Sequence, residues 1–142
     1  VMPRARAVLR RAHGLDIPED GPGDAYDLSA HRAAFTVFLE FLAANIAGQT
    51  ALPVDAHWAT QLQVVQGFAA IAPPDAILRE DEMHATLPAL AAQVGHADAP
   101  PPAPVATRAP YALAAIYDDR IEALARAAYG RDYLAFGFDD WR

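Results

Sequence analysis

Five histidines are the side chains of this chain best suited to moving a proton or holding a metal near neutral pH. They stand at His13, His31, His57, His84 and His96, never three or four residues apart, so no helix can offer two of them to a metal from one face. No metal site is expected. Cysteine is absent, which excludes disulfides, thiolate chemistry and Cys-ligated zinc. Ser29 is the single serine and lies in no Gly-x-Ser-x-Gly elbow, so hydrolysis of the serine type is not expected. Two segments remain. Arg79-Glu80-Asp81-Glu82 can supply a general base if burial raises a carboxyl pKa; the same acids also suit a helix N-terminus, where the macrodipole favours them. Asp55-Ala56-His57-Trp58-Ala59-Thr60-Gln61 sets a His beside a Trp, with an Asp before and a Gln after. It reads either as a packed aromatic with a hydrogen-bonded His or as the wall of a ligand cleft. In the cleft reading, His57 or Gln61 bonds a substrate hydroxyl.

Charge is unevenly placed. All eleven basic residues are Arg, and Arg4, Arg6, Arg10 and Arg11 fall in a first stretch that has no acid. All eighteen acids follow it, giving a net charge of −7. An acidic body argues against nucleic-acid binding, which needs a broad basic face. The basic end suits one small anion such as a phosphate, or is a solvated helix face. Arginine without lysine, among abundant Ala and Pro, points to a GC-rich, bacterial coding sequence. No apolar run approaches the roughly 18 residues of a membrane span. The richest stretch, Phe35 to Ala47, is broken by Glu40 and Asn45. No apolar block follows the first arginines as it would in a signal peptide. The expectation is a soluble, cytoplasmic chain without a membrane span.

Pro3 to His13 reads as a short helix stopped at Gly14, and 14–28 as a loop rich in Gly, Pro and acids. A helix capped by Ser29 should run to about Ala47, its inward stripe formed by Phe35, Phe38, Leu42 and Ile46. Gln61 to Ala70 fits a helix or a strand, and Ala76-Ile77-Leu78-Arg79 fits a short buried strand. A helix capped by Asp81 should reach Val94, with Met83, Leu87, Leu90 and Val94 inward. The prolines of 97–110 mark an extended linker. A last long helix should span Tyr111 to Tyr129, with Leu113, Ile116, Leu124 and Ala128 on one side, and a further helical turn should open at Asp132 and end at Gly137. The expected fold is mainly α-helical with room for one or two short strands, over 1–142 as a single domain or a piece of one.

Three of these segments carry a resemblance. His57-Trp58-x-x-Gln61 resembles the His-Trp-x-Pro-Gln motif of the carbohydrate sulfotransferases, which include heparan and chondroitin enzymes and bacterial relatives. Ile77-Leu78-Arg79-Glu80, followed by Glu82-Met83, is similar to that family's strand ending in Arg and Glu before a helix. Tyr129-Gly130-Arg131-Asp132-Tyr133-Leu134-Ala135-Phe136-Gly137-Phe138 resembles its terminal Tyr-x-x-Asp-Tyr-x-x-Phe-Gly-Tyr signature. The Phe-rich helix before His57 sits where the family has a Phe-x-x-Phe segment.

The resemblance implies the C-terminal helical portion of an α/β, nucleotide-kinase-like fold. It also implies transfer of a sulfuryl group from 3'-phosphoadenosine 5'-phosphosulfate to a small-molecule or carbohydrate hydroxyl, without a metal. In such enzymes a Gly-rich loop with Lys or Arg cradles the phosphosulfate at a helix N-terminus. This sequence has no such loop and no lysine, so the expectation is the back half of the family without its donor-binding front. Pro3-Arg4-Ala5-Arg6 resembles part of the family's 3'-phosphate stretch, which makes Arg6 the donor contact; that stretch's Ser falls on Leu9. His57, Trp58 and Gln61 would line the acceptor side, and an apolar face should be left bare where a sheet would dock. The alternative is a helical binding or interaction module without catalysis.

Overall fold

The computed structural model describes residues 3–15, 23, 25–100, 103 and 109–141, so the expectations for most of the first loop and most of the Pro-rich linker lie outside the described residues. Five α-helices occur among them: α1 Pro3–His13, α2 Leu28–Ile46, α3 Gln61–Ala69, α4 Met83–Gln93 and α5 Asp119–Phe136. A 3-10 turn, Leu113–Ala115, precedes α5, and no strand is present among the described residues. The mainly helical expectation holds. The chain falls into two compact units, Val1–Gly67 with Ala109–Arg142, and Phe68–Arg108.

In the first unit the helix ends follow local capping chemistry. The α2 cap is Asp27, two residues before the expected Ser29. Its backbone is extended (φ −86°, ψ −178°), and its carboxylate accepts the Ala30 N–H at 2.8 Å. Beyond Ile46 the chain turns at Gly48 (φ +73°), whose N–H returns to the Asn45 carbonyl. Helix α5 starts later than expected because Asp118 caps it through the Ile121 N–H at 3.0 Å. It also runs on past the expected stop. Tyr129 leaves the helical region (φ −115°, ψ 19°), kinks the helix, and the chain continues helical to Phe136 before Gly137 ends it at φ +65°.

Helix α2 lies against α5 and against α1. Ala5 and Leu9 of α1, Leu39, Phe41 and Leu42 of α2, Trp58, and Ile121 and Ala128 of α5 form one core. Because α2 is covered from two sides, its deepest residues are Leu39, Phe41, Leu42 and Asn45. The expected stripe members Phe35, Phe38 and Ile46 are only partly covered. Phe41 is fully buried, which contributes about 1.5–3 kcal/mol for a side chain of this kind.

In the second unit, α4 begins at Met83 after Glu82, which makes no side-chain cap bond; Asp81, the expected cap, instead pairs with Arg79. Ala76–Arg79 is not a strand, since a short apolar run has nothing to hold it extended without a partner edge. Val94, expected inward, is 72% exposed. Leu87, Leu90 and Val94 line an open groove together with Asp75, Ala76 and His96.

Candidate functional site

The site is built around one buried polar residue. Asn45, 1% exposed in the last turn of α2, uses both amide hydrogens. Its Nδ2 donates to Thr50 Oγ1 at 2.7 Å and to the Leu52 carbonyl at 2.8 Å. Its Oδ1 accepts the Trp58 Nε1–H at 2.8 Å. Trp58 also meets Phe38 and Phe41 edge-on, with ring centroids 6.0 and 6.2 Å apart. The loop between α2 and α3 is thereby tied down at its start and near its end.

Helix α5 fastens the same loop from the other side. The Tyr129 hydroxyl donates to the Trp58 carbonyl at 3.0 Å. The Asp132 carboxylate, 3% exposed, accepts the Gln61 N–H at 2.8 Å through Oδ2 and the Leu62 N–H at 2.9 Å through Oδ1. Two of the N–H groups that α3 leaves without helical partners are met by an anion placed where the helix dipole favours one. Thr60 adds a local cap to the Gln63 N–H at 3.2 Å. Burial, and next the Asp132 charge, push the Tyr129 hydroxyl pKa up, which keeps it a neutral donor.

On this base stands Asp55. Its side chain is only 8% exposed. One oxygen, Oδ1, accepts the His57 backbone N–H at 2.9 Å and lies 2.5 Å from His57 Nδ1. The backbone N–H first, and the ring second, hold the Asp55 carboxyl below its ordinary pKa. Its carbonyl accepts the Trp58 and Ala59 N–H groups at 3.1 and 2.8 Å. The His57 side chain is 88% exposed. A carboxylate-bound imidazole open to solvent can accept a hydrogen bond from a hydroxyl or take its proton.

His57 and Trp58 lie in the loop before α3 and Gln61 opens that helix, but the three do not share one role. His57 faces solvent. Trp58, expected on a cleft wall, is buried in the core with its N–H satisfied, so it supports the loop from beneath. Gln61 is exposed, while its backbone N–H is held by Asp132. Arg6 stands apart on α1, half-buried beside the core residue Ala5. Asn45, Asp55 and Asp132 are the residues that spacing alone did not mark as partners. Asn45 did show itself as a break in an apolar run.

A second cluster surrounds Glu122, which is 9% exposed. Its Oε2 accepts the Tyr117 hydroxyl at 2.6 Å and its Oε1 the Arg126 Nε–H at 3.1 Å. Arg126 also pairs with Asp140 and lies over the Tyr133 ring, 4.4 Å from its centroid. Desolvation pushes the Glu122 pKa up, but hydrogen bonds from Tyr117, Tyr133, the Trp141 backbone and Arg126 outweigh it, and the net shift is downward. The cluster staples the end of the chain to α5. Glu80, Asp81 and Glu82 are exposed, so the burial that the general-base reading calls for is not present at these residues. Among the described residues no three His, Asp or Glu converge as a metal site.

The described residues do not fit a phosphosulfate cradle. Such a cradle needs glycine backbone at a helix N-terminus beside a cation. The four glycines with positive φ among the described residues, Gly14, Gly48, Gly95 and Gly137, all follow helix C-termini. No protein-family model, no curated protein and no solved structure matches this chain.

Proposed function

We propose that these residues form the acceptor side of a sulfotransferase-like enzyme. It would transfer a sulfuryl group from 3'-phosphoadenosine 5'-phosphosulfate to a hydroxyl acceptor, with the donor cradle supplied by other polypeptide. One observation carries the reading. The two best-matched motif segments are bonded to each other across 71 residues, through Tyr129 to Trp58 and Asp132 to Gln61. Their joint occurrence then has a physical purpose: the terminal segment fixes the loop that presents His57. In this reading His57 and Gln61 meet the acceptor, Trp58 anchors them, and Arg6 is the one donor contact from this chain.

The test is transfer of radiolabelled sulfuryl from this donor to a panel of oligosaccharide and small-molecule hydroxyls, using the longest natural polypeptide that carries these residues. His57→Ala is expected to lower the rate on the order of a hundredfold, as loss of a positioned proton acceptor does, with the helical circular dichroism unchanged. No transfer by the wild-type protein on any acceptor sinks the proposal. The alternative, a non-catalytic interaction module, draws on Phe68 and Ile71, which are 69% and 90% exposed. It requires a protein partner and no transfer.

A further inference from the structure

We propose that Asp55 is a positioning residue that keeps the proton of the neutral His57 ring on Nδ1, so that Nε2 is offered to solvent as a hydrogen-bond acceptor for a hydroxyl. The hydroxyl part rests on the reading above; the ring geometry does not.

The argument starts from what each atom can do. An ionised carboxylate only accepts hydrogen bonds, so the 2.5 Å approach of Asp55 Oδ1 to His57 Nδ1 requires a proton on Nδ1. In the neutral ring this leaves the lone pair on Nε2. The same Oδ1 also accepts the His57 backbone N–H at 2.9 Å, so ring and backbone are referred to one point. That point is itself fixed. The Asp55 side chain is nearly covered, and its carbonyl is bonded by the Trp58 and Ala59 N–H groups. Trp58 in turn is held by Asn45 and Tyr129. The chain of support runs from two helices through a buried indole to a carboxylate and then to the ring.

The outer nitrogen is open. The His57 side chain is 88% exposed, and among the described residues no group bonds Nε2. A surface histidine without a carboxylate would divide its proton between two nitrogens and turn freely about its side-chain bonds. Here tautomer and direction are both set, as a carboxylate sets them for an imidazole that must accept a proton from a hydroxyl.

The test has two arms. Long-range proton–nitrogen NMR of the 15N-labelled chain, at about pH 8.5 where an ordinary imidazole is neutral, reads the tautomer directly. The expected wild-type ring carries its proton on Nδ1. Asp55→Asn can turn an amide N–H towards Nδ1 and is expected to move the proton to Nε2, while Asp55→Glu keeps an acceptor and restores the original form in part. A wild-type ring protonated on Nε2, or a tautomer ratio unchanged in D55N, overturns the inference. In the transferring polypeptide, D55N is expected to lower kcat about ten- to a hundredfold with KM within about twofold, and D55E to regain part of it. Normal kcat in D55N overturns the positioning role and leaves the proposed function standing. Absence of transfer in the wild type overturns the function and the hydroxyl role, while the ring measurement still decides the tautomer.

Discussion

The two units of this chain are similar in apolar content and different in what they bury. Every buried side chain among the described residues belongs to the unit of Val1–Gly67 and Ala109–Arg142, and none to Phe68–Arg108. The first unit owns Phe35, Phe38, Phe41 and Trp58, large rings that reach from one element to the next. The second relies on Ala-rich α4, interrupted by Pro88, and leaves Phe68, Ile71, Ile77 and Val94 exposed. Hydrophobicity alone does not close a core; side chains long enough to meet a partner do. Polar bonds follow the same division. Several of those in the first unit join residues 70 to 86 positions apart, whereas Arg79 and Asp81 in the second are near neighbours. His57 is presented by the part of the molecule best able to hold it still.

Trp58→Ala should have the largest effect. It removes a buried ring that touches Phe38 and Phe41 and leaves the Asn45 carbonyl oxygen unpaired. A cost of about 3–5 kcal/mol is expected for such a truncation, read as a lower urea midpoint. A loss under about 1 kcal/mol, the usual size at loosely covered positions, would mean that the first unit is no better packed than the second.

Asp132→Ala comes next. It strips the carboxylate from the Gln61 and Leu62 N–H groups, and the expected cost is about 2–3 kcal/mol, the range for hydrogen bonds to a charged group. Because the lost bonds join α5 to α3, His57 resonances should broaden or shift although position 132 is far away in sequence. Unmoved His57 resonances would show that α5 does not hold the loop.

Much of the first unit was legible in its residues. The three- and four-residue spacing of α2 and the Pro and Gly limits of α1 are local signals, and both helices occur where they point. The loop that holds His57 and Trp58 was legible too, with Gln61 at its far edge as the first residue of α3. Trp58's direction was not, because the ring turns inward on account of Asn45, thirteen positions earlier. Asp132 likewise reads locally as a helix opener, yet its partners lie some 70 positions away. The strand expected at Ala76–Arg79 failed for the reverse reason: its residue types suit a strand, but no second strand is there among the described residues.

Titration gives a further, smaller contrast, since the groups with clear shifts cluster in the first unit. Glu122 and Asp55 are held below their ordinary values, so their contributions are present above the unfolded carboxyl pKa of about 4 and are lost as pH falls through the folded values. Tyr117, Tyr129 and Tyr133 are pushed up, chiefly by burial; their contributions are complete below about pH 10 and fall away as pH rises above it. The melting temperature should therefore drop at both extremes. An alkaline drop that Tyr117→Phe leaves unchanged would remove that residue from the account.

The smallest effect is expected in the second unit, at Leu90→Ala. Leu90 is half-covered and lines an open groove, so truncation leaves little cavity behind and should cost about 1 kcal/mol or less, against 2–5 for a leucine in a closed core. Pro88 weakens the same helix from within, since it has no N–H to return to the His84 carbonyl. The amides of α4 should accordingly exchange with solvent through local opening, at rates that Leu90→Ala barely changes, while those of α2 and α5 wait for global unfolding. If α4 amides instead prove as slow as those around Phe41, and L90A accelerates both together, the two units unfold as one and the difference in burial has no energetic counterpart.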